Sequence, residues 1–428
     1  MEKNNVRATA LSLLLRCEAA GQYANIALDT AQKRAGLTGA DRALLTALFY
    51  GVTEHRITLD HVIDRLSAIP PSSIERQVRM ALRLGLCQLL YFDRIPDHAA
   101  INETVELVGG RSKGFVNALL RRFCREGKAV CPPSREADPI AYLSVTYSVT
   151  PELAETFCRI FGMERAECEL AALQTAHETC VRVNDTRISR EEWIARFGGT
   201  PTKYAPNGVR FSDGETLHKA LEEGLCFVQD EASQICVAAL DARAHRVLDV
   251  CSAPGSKSFG AALDGACEVR SFDLHENKIS LIRSGAQRLG IETLCANARD
   301  ARTASPETVG VFDRVLADVP CSGFGVLAKK PDIRYKSVAS AAGLPPIQRD
   351  ILESAATCVA KGGILVYSTC TLLPEENEEQ IARFLSAHPE FSLVPFDVGG
   401  LHSDGMLTLT PATYGTDGFF IAKLQKGQ

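Results

Sequence analysis

The sequence predicts three parts in series: an all-α bundle, a small α+β segment, and an α/β domain built on a doubly wound parallel sheet. Two patterns carry that reading. Residues 5–128 repeat apolar side chains at three- and four-residue spacing, the period of amphipathic helices. After residue 245 short β-rich runs alternate with helical stretches, and such alternation implies parallel strands with ligands held at their C-terminal ends. A length of 428 residues also exceeds what one hydrophobic core usually covers, so several domains are expected.

In the bundle, helices are expected at LSLLLRC, IALDTAQKRA, DRALLTALFYGV, LDHVIDRL, SIERQVRMALRLGLCQLLY and GFVNALLRRF. Turn chemistry separates them at Gly36 to Gly39, at Ile69-Pro70-Pro71 and at Pro96. The polar stretch holding Pro132 and Pro133 reads as a linker, which gives a first domain over 1–130, a linker over 131–140, a mixed domain over 141–235 and a last domain over 236–428. The mixed part is expected to hold helices at PELAETFCRIF, RAECELAALQTA and DEASQICVAAL and a strand at TCVRVN. In the last domain, strands are expected at RVLDV, EVRSFDL, VFDRVLADV and GGILVYSTC, with helices at ENKISLIRSGAQRLG and PIQRDILESAATCVA.

Composition narrows the class. Hydrophobic residues at 46% and charged residues at 23% are ordinary for a globular protein. No apolar run reaches the ~20 residues of a membrane helix, and the N-terminus lacks a signal-peptide core, so a cytoplasmic protein is expected. The fifteen cysteines contain no CxxC pair, and the nine histidines show no metal-ligand spacing; reduced thiols and no bound metal are expected. Net charge is −5, but residues 1–140 carry +4 and the remainder −9. Arg111, Lys113, Arg121, Arg122, Arg125 and Lys128 form a basic run opposed locally by Glu126 alone. A run of this kind is either a solvated helix face or a phosphate-binding surface.

The chemistry-bearing positions of the last domain fall where strands end. Asp249 opens the loop Cys251, Ser252, Ala253, Pro254, Gly255, Ser256 and Lys257, whose small residues admit a ligand to the backbone and to the amides of the following helix. It is not a GxGxxG, so a dinucleotide is a poor fit. Asp273 ends the next strand, where an acid commonly accepts hydrogen bonds from ribose hydroxyls. Phe312 to Gly323 puts Asp318 three residues before Cys321, and Tyr367-Ser368-Thr369-Cys370 brings a second thiol to the end of a later strand. Glu375, Glu376 and Glu378 are expected to cap the helix that follows.

These motifs, DxxxAPGxK, FDRVLADVPCSG and YSTC followed by PEENE, resemble the Sun-type RNA cytosine-5 methyltransferases. The resemblance extends over nearly the whole chain. LFYGV, LRLGLCQLLYFDRIPDHAAINETVEL and GFVNALLRRF are similar to the NusB-like RNA-binding domain of the bacterial 16S ribosomal RNA members, and VRVN, VQDEAS and DGFFIAKL follow the same group. The resemblance implies a NusB-like bundle, a small α+β RNA-contacting subdomain, and a Rossmann-like class I methyltransferase domain using S-adenosyl-L-methionine. It implies 16S ribosomal RNA as the substrate. A cytosine must be exposed to react, so free or partly assembled RNA is expected; nothing demands more than a monomer, and the basic run Arg111, Lys113, Arg121, Arg122, Arg125 and Lys128 is expected on the RNA. It also implies that Cys370 attacks cytosine C6, that Cys321 assists loss of the C5 proton and release of the adduct, and that Asp318 bonds the base near N3. A thiolate suits this chemistry because it both attacks and leaves well.

By the same resemblance Cys251 to Lys257 hold the methionine part of the cofactor, Asp273 the ribose, and Asn297 or Asp300 the adenine, with Asp318 also facing the cofactor. Three positions depart from the family pattern. Ser256 replaces the second glycine of a pair, Asn297-Ala298-Arg299-Asp300 replaces an Asp-Ala-Arg or Asp-Gly-Arg step, and Val149-Thr150-Pro151 lacks an aromatic. A transfer RNA target, an assembly factor with vestigial catalysis, and a DNA cytosine-5 methyltransferase share parts of this pattern. The DNA reading makes Cys321 the nucleophile.

Overall fold

The computed structural model describes residues 5–20, 27–28, 30–32, 36–37, 39–175 and 178–428. They divide into two compact units, residues 1–171 with 329–338, and residues 172–328 with 339–428. Among the described residues no helix is long and apolar enough to cross a membrane.

The first unit is helical: α1 (Val6–Ala20), α2 (Gly39–Glu54), α3 (Arg56–Leu66), α4 (Arg76–Tyr91), α5 (Asp97–Val105), α6 (Ser112–Arg125), α7 (Pro139–Tyr147), α8 (Pro151–Phe161) and α9 (Met163–Ala172). The helix expected at IALDTAQKRA lies partly outside the described residues. Helix α4 is central and buries Val78 to Leu89 almost without a break, including Arg83. That guanidinium is satisfied by Asp60 at 2.8 and 2.9 Å and by Glu18 at 2.8 Å, the condition under which a buried charge is tolerated.

Residues 129–138 are irregular, and Asp138 caps α7 by accepting from Ala141 N at 2.9 Å. A new domain was expected from residue 141. The structure instead groups α7, α8 and nearly all of α9 with the bundle, because Thr58 donates to Val145 O at 2.6 Å and Ser148 Oγ accepts from Ile57 N at 3.0 Å. Residues 329–338 complete the unit: Tyr335 donates to Thr53 O at 2.6 Å, and buried Arg334 donates to Tyr147 O at 3.0 Å. Periodicity within each helix carries no information about which neighbour covers its apolar face.

The second unit opens with an antiparallel sheet, β1 (Thr179–Val183), β2 (Thr200–Pro201), β3 (Gly208–Phe211) and β4 (Cys226–Val228), in the order β2-β3-β1-β4. Helices α10 (Arg190–Phe197) and α11 (Gly214–Glu222) accompany it, and Trp193 is fully buried in its core. Helix α12 (Glu231–Leu240) leads to β5 (Arg246–Asp249), α13 (Ser256–Leu263), β6 (Glu268–Asp273), α14 (Glu276–Leu289), β7 (Leu294–Ala298), β8 (Phe312–Asp318), α15 (Leu344–Thr357), β9 (Val359–Thr369) and α16 (Glu378–Ala387). The chain closes with β10 (Phe391–Leu393), β11 (Phe396–Val398), β12 (Leu401–Ser403), β13 (Met406–Leu409) and β14 (Phe419–Lys426).

The large sheet runs β10-β14-β9-β8-β5-β6-β7, with β13 also on β14. Strands β5 to β9 are parallel, whereas β14 pairs β9 antiparallel. The expected parallel sheet thus carries an antiparallel edge that alternation alone does not reveal. Strand order reverses between β5 and β8, which opens a crevice at their C-terminal ends.

Candidate active site

Asp249 ends β5 and is fully buried. Its Oδ2 accepts from Ser258 Oγ at 2.6 Å, and Ser258 in turn accepts from Ser271 Oγ at 2.8 Å. Burial pushes the Asp249 carboxyl up to about 7, the Ser258 hydroxyl opposing and the Asp318 charge assisting. The loop that follows is tied to β6: Ser252 N and Oγ both donate to Phe272 O, at 2.7 and 2.8 Å. Gly255 sits at φ 113°, and a Cβ there would lie 2.4 Å from the Phe259 ring, so glycine is required. Ser256 begins α13 with no left-handed backbone, which accommodates the replaced glycine. Cys251 packs against the core, and burial holds its thiol well above the ordinary range.

At the end of β6, Asp273 is 8% exposed and accepts from His275 N at 3.1 Å, with Lys278 at 3.5 Å. Asn297 is exposed on β7, opposite Phe272. Asp300 is occupied locally: it accepts from Arg302 N at 3.0 Å and from its guanidinium at 2.6 to 3.2 Å. Gln229 donates to Ser256 O at 3.1 Å, leaving its buried Oε1 without a partner among the described residues. A buried carboxylate acceptor, a side-chain-free turn and a spare buried acceptor beside the loop suit a ligand that brings hydroxyl and amino donors. They fit S-adenosyl-L-methionine.

The reactive groups stand at the ends of β8 and β9. Their parallel register pairs Asp318 with Ser368, and Ser368 Oγ donates to Asp318 Oδ1 at 2.8 Å. Lys257 was expected on the cofactor's methionine part; its ammonium lies 2.6 Å from Asp318 Oδ2 and 5.1 Å from the Phe419 ring centre. Burial disfavours that ammonium, but the Asp318 carboxylate together with the nearby Cys236 and Cys370 thiols more than offsets it and raises the Lys257 pKa. Two residues beyond Asp318 the chain turns, so that Cys321 Sγ is 3.2 Å from Cys370 Sγ and accepts from Cys370 N at 3.3 Å. The thiol contact, together with burial, pushes Cys321 well above the ordinary thiol range. Gly325 N donates to Cys370 O at 3.0 Å, and Gly418 N to Gly325 O at 2.8 Å. That approach leaves no room for a Cβ on Gly325, which is how the DGFF segment supports the thiol loop.

Of the acidic group after Cys370, Glu376 does not behave as expected. Glu376 is 1% exposed and turned inward, accepting from Ser322 N at 3.0 Å, Ser322 Oγ at 2.5 Å and Gln348 Nε2 at 2.7 Å. Capping explains a helix N-terminus from local spacing alone; here the loop around Ser322 offered two donors and α15 a third. Glu378 lies in the first turn of α16, as expected, and also accepts from Thr408 Oγ1 at 2.7 Å. Glu376 was visible only as part of PEENE, and Gln348 gave no signal in the sequence.

The basic run is also less free than its sequence suggests. Lys113 pairs with Glu106 at 2.7 Å, Lys128 with Asp97 at 2.6 Å, and Arg122 with Glu126 at 2.8 Å. Arg121 donates to Asn117. The packing of α5 and the residue after it on α6 delivers carboxylates from outside the run, leaving Arg111, Arg121 and Arg125 exposed with no ion pair among the described residues.

Comparison with known proteins agrees with this construction. Residues 4–125 match the model of the NusB family, and residues 237–425 match that of the 16S rRNA methyltransferase RsmB/F. The chain is 36% identical, over the full length of both proteins, to the probable ribosomal RNA small subunit methyltransferase B of Bacillus subtilis strain 168. It is 31% identical, again over both full lengths, to ribosomal RNA small subunit methyltransferase B of Citrobacter koseri. The crystal structure of PH0851 superposes with a TM-score of 0.79 at 27% identity, covering 100% of this chain and 99% of that one. Fold and site therefore define an S-adenosyl-L-methionine-dependent RNA methyltransferase with an N-terminal NusB domain. The chain belongs to the ribosomal RNA small subunit methyltransferase B family.

Proposed function

We propose that the enzyme forms 5-methylcytosine in 16S ribosomal RNA through a covalent bond between Cys370 and cytosine C6. The supporting observation is the pair of thiols, 3.2 Å apart at the ends of two adjacent parallel strands, with Asp318 on the same rim. Cytosine C5 is too weak a nucleophile to take a methyl group unaided. Addition of Cys370 Sγ to C6 makes the ring an enamine, and the electron density reaches C5. Asp318 accepts from the base edge near N3 and favours the protonated ring during attack, which stabilises the transition state more than the ground state. The cofactor supplies an electrophilic methyl group. Cys321, its own proton released to solvent once the adduct has formed, then takes the C5 proton; the C5–H electrons form the C5–C6 double bond, the C6–S bond breaks, and its electrons return to Cys370.

Cys251 to Lys257, Asp273 and Asn297 are assigned to the cofactor; Asp300, already bound by Arg302, has the weaker claim on the adenine. Arg111 and Arg125 lead the RNA contacts. The target cytosine must be unstacked, since an A-form duplex hides the reactive face, so free or partly assembled RNA is the expected substrate.

Cys370→Ala should abolish methylation and form no enzyme–RNA adduct. Cys321→Ala should leave a covalent complex that migrates slowly on a denaturing gel. An adduct in Cys370→Ala and none in Cys321→Ala would reverse the two roles and favour the DNA-type arrangement.

A further inference from the structure

Two thiols in contact pose a problem of assignment, because a proton shared between two sulfurs leaves either one able to attack. The surroundings of the pair differ on its two sides. Beneath the Cys321 loop lies the Glu376 carboxylate, 1% exposed, with Ser322 N, Ser322 Oγ and Gln348 Nε2 as donors. Gln348 also donates to Pro320 O at 3.0 Å, so one carboxylate and one amide hold the backbone on both sides of Cys321.

The hydrogen bonds have a direction. Leu373 N donates to Thr371 Oγ1 at 3.3 Å. Ser322 Oγ gives its proton to Glu376, so in its 2.7 Å contact with Thr371 Oγ1 it is the acceptor. The chain Leu373, Thr371, Ser322, Glu376 therefore donates throughout toward the carboxylate, joining the loop after Cys370 to the loop around Cys321. Asn377 donates to Thr371 O at 3.1 Å and accepts from Thr369 Oγ1 at 2.5 Å, which anchors the other strand end.

We infer that Glu376 is a positioning residue that sorts the two thiols: its buried charge under the Cys321 loop keeps Cys321 as the protonated partner and leaves Cys370 as the nucleophile. An S–H on Cys321 is then free to donate across the 3.2 Å contact to Cys370 Sγ. The field of Glu376 adds to the rise in the Cys321 pKa after the Cys370 contact and burial. The other groups facing the pair are Asp318, Lys257 and Tyr367. The Lys257 ammonium interacts with Cys370, whereas Tyr367 is raised by burial, then by Cys321, Glu376 and Asp318. Glu376 thus acts on Cys321, against the N–H of Cys370 that donates to Cys321 Sγ at 3.3 Å, whereas Lys257, paired with Asp318 at 2.6 Å, acts on Cys370. The proposal rests on the reading of Cys370 as the attacking residue, but its test does not depend on turnover.

Glu376→Gln removes the charge while keeping the volume. Its amide oxygen can still accept from Ser322 N and Gln348, and its amide N–H can donate to Ser322 Oγ, which then turns its proton toward Thr371. Alkylation by iodoacetamide, with each thiol followed by peptide mass spectrometry, reads the thiolate population. In Glu376→Gln the Cys321 labelling rate at neutral pH should rise about tenfold, and its pH profile should move down by about one unit. The kcat for methylation should fall while KM for RNA stays unchanged. Cys321 labelling unaffected by Glu376→Gln would overturn the proposal. If that variant does not fold, wild-type protein decides: Cys370 labelled before Cys321 supports the proposal, and the reverse order overturns it. The adduct assay on Cys370→Ala and Cys321→Ala separately decides which thiol attacks.

Discussion

Asp249→Asn should stabilise the second unit, and more at pH 8 than at pH 5. Asp249 is fully buried, with Ser258 Oγ at 2.6 Å, and its carboxyl is pushed up to about 7 from an unfolded value of 3.8. Because the folded value is the higher, the stability this group contributes is complete below about pH 4 and is lost as pH rises through about 7. A separation of about three pH units corresponds to about 4 kcal/mol once pH exceeds both values, of which roughly 2 kcal/mol is already lost at pH 5. Asparagine keeps the size and the acceptor for Ser258 but does not ionise. The stability difference between variant and wild type should therefore widen by about 2 kcal/mol between pH 5 and pH 8, the other titrating groups cancelling between the two proteins. Urea unfolding followed by Trp193 fluorescence reports it, since the chain has one tryptophan and it is fully buried in the same unit. A difference that stays constant across that range would refute the assignment of a raised pKa to burial.

Other substitutions probe the remaining parts of the site and the bundle. Lys257→Met strands the Asp318 carboxylate beside the sheet and should cost about 3 kcal/mol by the same unfolding assay, with Lys257→Met/Asp318→Asn recovering part of the loss. Gly255→Ala forces a side chain into φ 113° and against Phe259; at about 1–3 kcal/mol of strain it should weaken S-adenosyl-L-methionine binding roughly tenfold or more in calorimetry. Arg111→Ala/Arg125→Ala should lower the slope of log affinity for RNA against log salt by about 1.5, the value for two phosphate contacts. An unchanged slope would place the RNA elsewhere.

Several elements were legible because they depend on local chemistry. PELAETFCRIF folds as α8 over the same residues, RVLDV and VFDRVLADV contain the strands they suggest, and GGILVYSTC covers the C-terminal part of a strand that begins earlier, at Val359. Each ends at or next to a chemistry-bearing residue, because a continuous apolar run stops where the chain leaves the sheet. Cys321 and Cys370 could be placed at strand ends for that reason. The extent of the first unit was not legible in this way: α7 and α8 are ordinary amphipathic helices, and what assigns them to the bundle is Thr58 and Ile57 bonding to residues some ninety positions away.

The sequence by itself determined the kinds of groups present and the strand end on which each would sit: two thiols, a carboxylate beside one of them, a glycine turn after β5 and an acid after β6. Periodicity and turn chemistry act over a few residues, and these features need no more. Only the tertiary structure decided their relations. Strand order puts β8 beside β9, so residues 49 apart in the chain bring their sulfurs to 3.2 Å. The fold also turned Lys257 onto Asp318, drew Glu376 inward beneath Cys321, and neutralised half of the basic run with Glu106, Glu126 and Asp97. Hydrogen bonds and ion pairs are satisfied by whichever partner the packing delivers, and Lys257 with Asp318, Glu376 with Ser322 and Lys128 with Asp97 lie 61, 54 and 31 residues apart.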